Sequence, residues 1–451
     1  MLCHHHENVG FYPEDAEIVD PLTTGILGTV LLLVLFFLGV PIGVAMGVAG
    51  VAGFAYIINP SAALHLVASD IFDQLGSYSL SVLPMFILMG CMAFAAGIGK
   101  KAFNVAYILM GRVRGGLIVA TTLACCVFGA VTGSSAATCV AIGKSAVPEM
   151  KKHHYDPAIS LGALACSGAL GFMIPPSIPL AIYGILTEQS IGKLFIAGLL
   201  PGLLITALFI LTALIACRLK PEWGPPGEAT TLKQKLNSLF GLADALILFL
   251  IVIGGLFAGV FSPTMAGAMG AAGAVAIGLA RRELTWRRFV EGLKEALRLA
   301  CMIYILIIGA MIFGHFIAVT GVSRGLVDLA SGLSPVGMMT LICIIFYILG
   351  ALLDEAPLLL ILVPLFYPLV VKAGYDPIWF GVVITALCMV GIVAPPVATN
   401  FYVVKALAGP EVSFATIVKG IFIFLIPLTV GLLLLLAFPI ISTILPKFMT
   451  Y

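Results

Sequence analysis

Charge is what this sequence has least of. Asp, Glu, Lys and Arg make up only 10% of its 451 residues and 61% are hydrophobic, so most of the chain cannot offer water a soluble protein's polar surface. A strict apolar/polar alternation is also missing, which argues against a membrane β-barrel. The ten cysteines have neither metal-ligand spacing nor the pattern of a disulfide framework, and read as small buried hydrophobes. Residues 1–23 carry no Lys or Arg ahead of the first apolar run, so no cleavable signal peptide is expected and the first helix should be retained. His4, His5 and His6 read as part of a solvated tail or an added tag rather than as a metal site. No HExxH, Gly-x-Ser-x-Gly or cofactor motif is present, which disfavours a membrane enzyme. The formal net charge of +2 is uninformative, and no nucleic-acid partner is expected.

What the chain does contain is a series of apolar runs from Thr24 to Pro446, several longer than the ~20 residues a helix needs to cross the hydrocarbon core. The lipid bilayer is therefore its solvent, and the predicted fold class is an all-α polytopic membrane protein. An internal repeat is legible. Tyr155-Asp156-Pro157 recurs as Tyr375-Asp376-Pro377, Pro148 as Pro368, and Pro175-Pro176 as Pro395-Pro396, all at an offset of 220 residues. The expected organisation is a tail (1–23), a first repeat (24–217), a hydrophilic linker (218–239) and a second repeat (240–451).

Each repeat has the same plan. Two spans (24–39 and 43–58; 240–261 and 264–280) precede an amphipathic segment (60–76; 285–298) and a third span (78–98; 299–319). Next comes an apolar pair too short to cross twice (117–150; 337–371), then a span interrupted by Pro-Pro (157–186; 377–406), and a closing span (194–217; 414–445). The short pairs predict two re-entrant hairpins beside about ten full spans, since turns such as Gly133-Ser134-Ser135 have no room to reach water. Lys and Arg near residues 112–114 and 151–152, in the linker, and in 281–298 place those segments in the cytoplasm. The tail and residues 60–76 carry acidic but no basic residues and belong outside. The two repeats are then inverted.

Four interruptions of helix should converge near the midplane: the tips Gly133-Ser134-Ser135 and Leu353-Asp354-Glu355, and the breaks Ile174-Pro175-Pro176-Ser177 and Ala394-Pro395-Pro396-Val397. Proline removes an N–H and frees carbonyl oxygens that suit a hard cation, and half-helix N-termini suit an anion. Candidate binding residues are Gly133, Ser134, Ser135, Thr138, Pro175, Pro176, Ser177, Asp354, Glu355, Pro395, Pro396, Thr399 and Asn400. Sodium candidates are Ser134, Ser135 and Asp354. An ionised Asp354 at bilayer centre costs ~2.5–3.5 kcal/mol on insertion scales, which calls for a cation, a helix end or a structural ion pair. For Thr138 a small-residue packing face is the alternative. His315, a lone polar residue in a span, reads as a satisfied packing residue rather than a proton relay. No Lys or Arg stands at any of the four interruptions.

The residues Leu83-Pro84-Met85-Phe86, Gly111-Arg112-Val113-Arg114-Gly115-Gly116, Ile174-Pro175-Pro176-Ser177-Ile178-Pro179, Ser190-Ile191-Gly192-Lys193-Leu194-Phe195, and Asp354 followed by Pro364 and Pro368 carry a resemblance that runs from about Gly25 to Pro446. The chain resembles the large, DctM-type membrane subunit of the tripartite ATP-independent periplasmic (TRAP) transporters. The resemblance implies a sodium-coupled elevator of the bacterial inner membrane that takes up organic acids. It also implies a separate four-helix membrane subunit (Q-type) and a periplasmic substrate-binding protein (P-type). Met265 stands where the family usually has Glu, and Ala398 where it usually has Gly, which leaves no acid at the first position and less backbone freedom beside Thr399 and Asn400. The rival readings are a stand-alone sodium/dicarboxylate symporter of the same architecture and, further off, a channel or a membrane enzyme.

Overall fold

The computed structural model describes residues 20–110, 112–227, 230–322, 332–395 and 398–449. The histidine triplet and Pro396 lie outside the described residues. Among the described residues every regular element is helical. Six helices are long and apolar enough to cross a membrane, and two bent helix pairs, Pro60–Gly76 with Ser79–Ala95 and Pro157–Met173 with Ile178–Leu186, would add two more spans. The chain is an all-α, multi-pass membrane protein.

Local chemistry explains where the helices start. In both copies of the Tyr-Asp-Pro motif the aspartate is an N-cap and the proline takes the first helical position, where its missing N–H is no loss. Asp156 Oδ1 accepts from Ala158 N at 2.8 Å and Ile159 N at 3.3 Å. Asp376 Oδ1 accepts from Ile378 N at 2.8 Å and Trp379 N at 3.0 Å. Ser262 and Ser334 cap helices that begin with Pro263 and Pro335 in the same manner.

The described residues form two compact units. The first, Met1–Gly76 with Tyr304–Gly332, draws on both sequence repeats, so compactness and repeat divide the chain differently. It holds the helices Pro21–Phe37, Ile42–Ile57 and Pro60–Gly76 and the end of the 35-residue helix Trp286–Thr320. Phe313 and Phe316 form its aromatic centre, with ring centroids 5.9 Å apart and Phe316 fully buried. His315 has a partner here: its Nε2 lies 3.3 Å from Asp70 Oδ1, on the amphipathic helix. Leu27, Val30, Val34 and Phe37 are exposed along the first helix, a face that suits lipid.

The second unit, Ser77–Ile303 with Leu333–Tyr451, contains both hairpins and both Pro-Pro sites. It also contains a helix, Ile98–Met110, that the hydropathy runs do not reveal. Lys100, Lys101 and Asn104 break up its apolar signal, yet Ile98, Ala102, Phe103 and Val105 are buried. Lys101 Nζ and Arg281 Nη2 meet the buried Asp244 carboxylate at 3.1 and 2.9 Å, fastening this helix to Ala243–Phe249 and to the end of Pro263–Ala280.

Candidate functional site

The first hairpin is Gly116–Thr132 and Ser135–Lys152, and the second is Pro335–Gly350 and Glu355–Lys372. Each first arm approaches the interrupted helix of its own repeat through a glycine pair. A Cβ on Gly129 would lie 2.9 Å from Gly171 Cα, and one on Gly391 would lie 2.6 Å from Gly350 O. Larger residues at these four positions would hold the backbones apart, so small side chains set how near each hairpin comes to its break.

At the first tip Gly133 closes the arm in a left-handed conformation, φ 63°, and its carbonyl accepts from Ile178 N at 3.3 Å. A Cβ there would sit 2.5 Å from Pro176 O, so the tip lies directly on the first Pro-Pro site. That site solves its own carbonyl problem. Pro176 has no N–H for the Phe172 carbonyl, and the Ser177 hydroxyl donates to it instead, while Ser177 Oγ accepts from Leu180 N at 3.2 Å. Ser177 is therefore both N-cap and substitute donor, and it is buried with Pro175 and Pro176.

Ser134 caps the second arm through Ala137 N at 3.4 Å. Thr138 Oγ1 donates to Ser134 O at 2.7 Å and lies 2.9 Å from Thr132 Oγ1, which ties off the inner side of the turn. Ser135 is fully buried. Its Oγ lies 3.0 Å from Asn400 Oδ1 and 2.7 Å from Asn400 Nδ2, and Nδ2 also donates to Ala165 O at 2.7 Å. Asn400 thus links the first tip to the helix Thr399–Ala408 that follows the second Pro-Pro site.

The second tip is built differently. Asp354 occupies the N-cap position of Glu355–Lys372 but caps nothing with its side chain; exposed, it accepts from Thr399 Oγ1 at 3.0 Å. Beside it, Glu355 Oε2 is buried with no hydrogen-bond partner among the described residues. Pro395 is half-buried, and Ala398 is buried at the cap of Thr399–Ala408 without a side chain to accept a bond.

The contacts Gly133 to Pro176, Ser135 to Asn400 and Asp354 to Thr399 therefore gather both tips, the first break and the helix that follows the second break into one region of the second unit. Sequence reasoning singled out both Ser135 and Asn400 but not that they meet, nor that Ala165 shares the amide, and Thr132 only emerges as Thr138's neighbour. Away from this region the first hairpin's mouth is fastened by Lys151 Nζ, 2.8 Å from Ala408 O and 2.6 Å from Glu411 Oε1.

Two helical hairpins thus pack against interrupted helices within a multi-pass membrane protein. The fold is that of a solved membrane transporter, YdaH of Alcanivorax borkumensis, with TM-score 0.59, 15% identity, and coverage of 93% of this chain and 98% of that one. Residues 29–441 match the sequence model of the family described as "Tripartite ATP-independent periplasmic transporter, DctM component", and the chain belongs to that family. It is 32% identical over 386 residues to the C4-dicarboxylate TRAP transporter large permease protein DctM of Pseudomonas aeruginosa, covering 85% of this chain and 90% of the relative. It is 30% identical over 416 residues to the sialic acid TRAP transporter large permease protein SiaM of Vibrio cholerae, covering 92% and 96%. The chain is thus a large permease subunit of the inner membrane, and not an enzyme.

Proposed function

We propose that this chain is the translocating subunit of a sodium-coupled uptake system for a small organic acid anion, working as an elevator. A periplasmic binding protein delivers the substrate and a small four-helix membrane subunit accompanies the chain. The observation that carries the reading is the meeting of both tips with the first break and with the helix after the second, through Pro176, Asn400 and Thr399. Relatives named for C4-dicarboxylate and sialic acid support a carboxylate as cargo.

The donors fit sodium. It is a hard cation that prefers carboxylate, carbonyl and hydroxyl oxygens. Asp354 and the Thr399 hydroxyl supply two such groups, and Glu355 Oε2, which has no hydrogen-bond partner among the described residues, is a third acceptor. At the first tip the Ser134 and Ser135 hydroxyls already hydrogen-bond, but a hydroxyl has two acceptor lone pairs, so each retains capacity for an ion. The half-helix N-termini at Ile178 and Thr399 would face the substrate's negative charge. Sodium, when bound, would neutralise the carboxylates and offer positive charge to the anion. Exchanging external sodium for potassium or choline at constant pH should abolish uptake into proteoliposomes carrying the whole system, and undiminished uptake would refute the coupling.

The two repeats are proposed to lie inverted, with the first hairpin's mouth in the cytoplasm and the second's outside. In a cysteine-free background, Lys152→Cys should resist an impermeant thiol reagent in intact cells and Lys372→Cys should react. The opposite pattern would reject the inversion.

A further inference from the structure

The start of the long helix Trp286–Thr320 carries a surface that the transport site does not use. Trp286, Leu293 and Leu297 recur seven and four residues apart, which puts them on one helical face, and they are exposed by 79%, 45% and 64%. One position further round, with the same spacing, stand Arg287, Lys294 and Arg298, all exposed. Glu291 and Glu295 come next, while Ala296 and Ala300 are buried on the other side of the apolar stripe. The helix therefore passes in order from packed face, to exposed apolar face, to basic face, to acidic face.

The basic residues differ in how far they are already neutralised. Arg287 is paired with Glu291 at 2.8 Å and Arg288 with Glu283 at 3.8 Å. Among the described residues neither Lys294 nor Arg298 forms an ion pair, and the same is true of Arg282, which stands just before the helix. Free cations beside an exposed Trp-Leu-Leu stripe have the layout of a phospholipid: acyl chain on the stripe, anionic headgroup on the adjoining cations. Long basic side chains reach headgroup level while their stems cover apolar surface, and an exposed tryptophan suits the same interface.

We propose that the segment 286–298 is a binding surface for an anionic glycerophospholipid. Lys294 and Arg298 hold the headgroup phosphate, and Leu293 and Leu297 contact the acyl chain. Which leaflet supplies the lipid depends on the orientation proposed above, so the test uses symmetric bilayers, in which orientation plays no part.

The full chain is placed in phosphatidylcholine nanodiscs containing the same small mole fraction of either brominated phosphatidylglycerol or brominated phosphatidylcholine. Quenching of Trp286 is read as the part of the signal that Trp286→Phe removes. Brominated phosphatidylglycerol should quench Trp286 on the order of fivefold more effectively. Lys294→Gln with Arg298→Gln should bring the two lipids level without shifting the melting temperature, whereas Lys294→Arg with Arg298→Lys should keep the preference. Equal quenching by the two lipids in the unaltered chain would overturn the proposal, as would a preference that survives the glutamine pair. Loss of the preference on adding excess inorganic phosphate would assign the cations to free phosphate instead. Absence of quenching by either lipid would show the stripe covered by protein, and would also overturn it.

Discussion

The two hairpin tips occupy equivalent places in the two repeats and solve opposite problems. The first is neutral and closed: Ser134, Ser135 and Thr138 direct their hydroxyls to Ala137 N, Asn400 and Ser134 O, and Ser177 takes over the carbonyl that Pro176 leaves open. The second is acidic and open, with Asp354 exposed beside Thr399 and the Glu355 carboxyl, and Glu355 Oε2 buried with no hydrogen-bond partner among the described residues. A satisfied network gives rigidity, whereas an unsatisfied acid leaves capacity for a ligand. One architectural position thus serves as a joint in the first repeat and as the stronger cation candidate in the second.

The sharpest way to break this comparison is to neutralise the open tip. Asp354→Asn keeps size and hydrogen-bonding reach but removes the charge. Uptake should fall by about ten- to a hundredfold, the range set by losing a charge-assisted contact, and half-saturating sodium should rise. The melting temperature should stay within about a degree of the unaltered protein, because the exposed carboxylate has no ion-pair partner among the described residues to leave stranded. Normal transport in this variant would remove Asp354 from the proposed cation site.

The closed tip should behave in the opposite way. Asn400→Ala strips two buried acceptors, Ser135 Oγ and Ala165 O, of their donor, and each stranded group costs about 1–3 kcal/mol. Thermal unfolding of the purified protein should show a clear destabilisation that Asp354→Asn lacks. Equal melting temperatures for the two variants would erase the distinction between joint and open site.

A smaller effect is expected at the first hairpin's mouth. The hydrogen bond from Lys151 holds the Glu411 carboxyl below its usual range. A carboxyl with a lowered folded pKa adds stability that is present above its unfolded pKa, near 4.5, and is lost as the pH falls through the folded value. Both side chains are largely exposed, so screening keeps the contribution small. Glu411→Gln should therefore melt slightly earlier than the unaltered chain at neutral pH and level with it in strong acid. A gap that persists unchanged in acid would assign the loss to something other than this pair.

Much of this organisation is legible in the residues themselves. The paired Tyr-Asp-Pro motifs mark helix starts because an aspartate cap and a proline at the first helical position act within one turn. The Pro-Pro pairs mark breaks because a missing N–H is a covalent fact, and the turns at Gly133 and Asp354 lie between runs too short to reach water. The helix Ile98–Met110 escaped because its two lysines and an asparagine dilute the apolar signal that packing nevertheless uses. His315 reads as a lone polar residue because Asp70, its partner, lies on a helix 245 residues earlier in the chain.

What the sequence determined by itself was the solvent, the order of the helices and the places where they must break, because hydrophobic length, proline and capping act over a few residues. Only the tertiary structure decided which breaks meet and which polar groups are satisfied. Ser135 and Asn400 stand 265 residues apart, and nothing local distinguishes the serine that finds a buried amide from the aspartate left open at the opposite tip. That difference arises from packing, which brings distant backbone and side-chain donors within hydrogen-bonding reach of one tip and leaves the other with a carboxylate to spare.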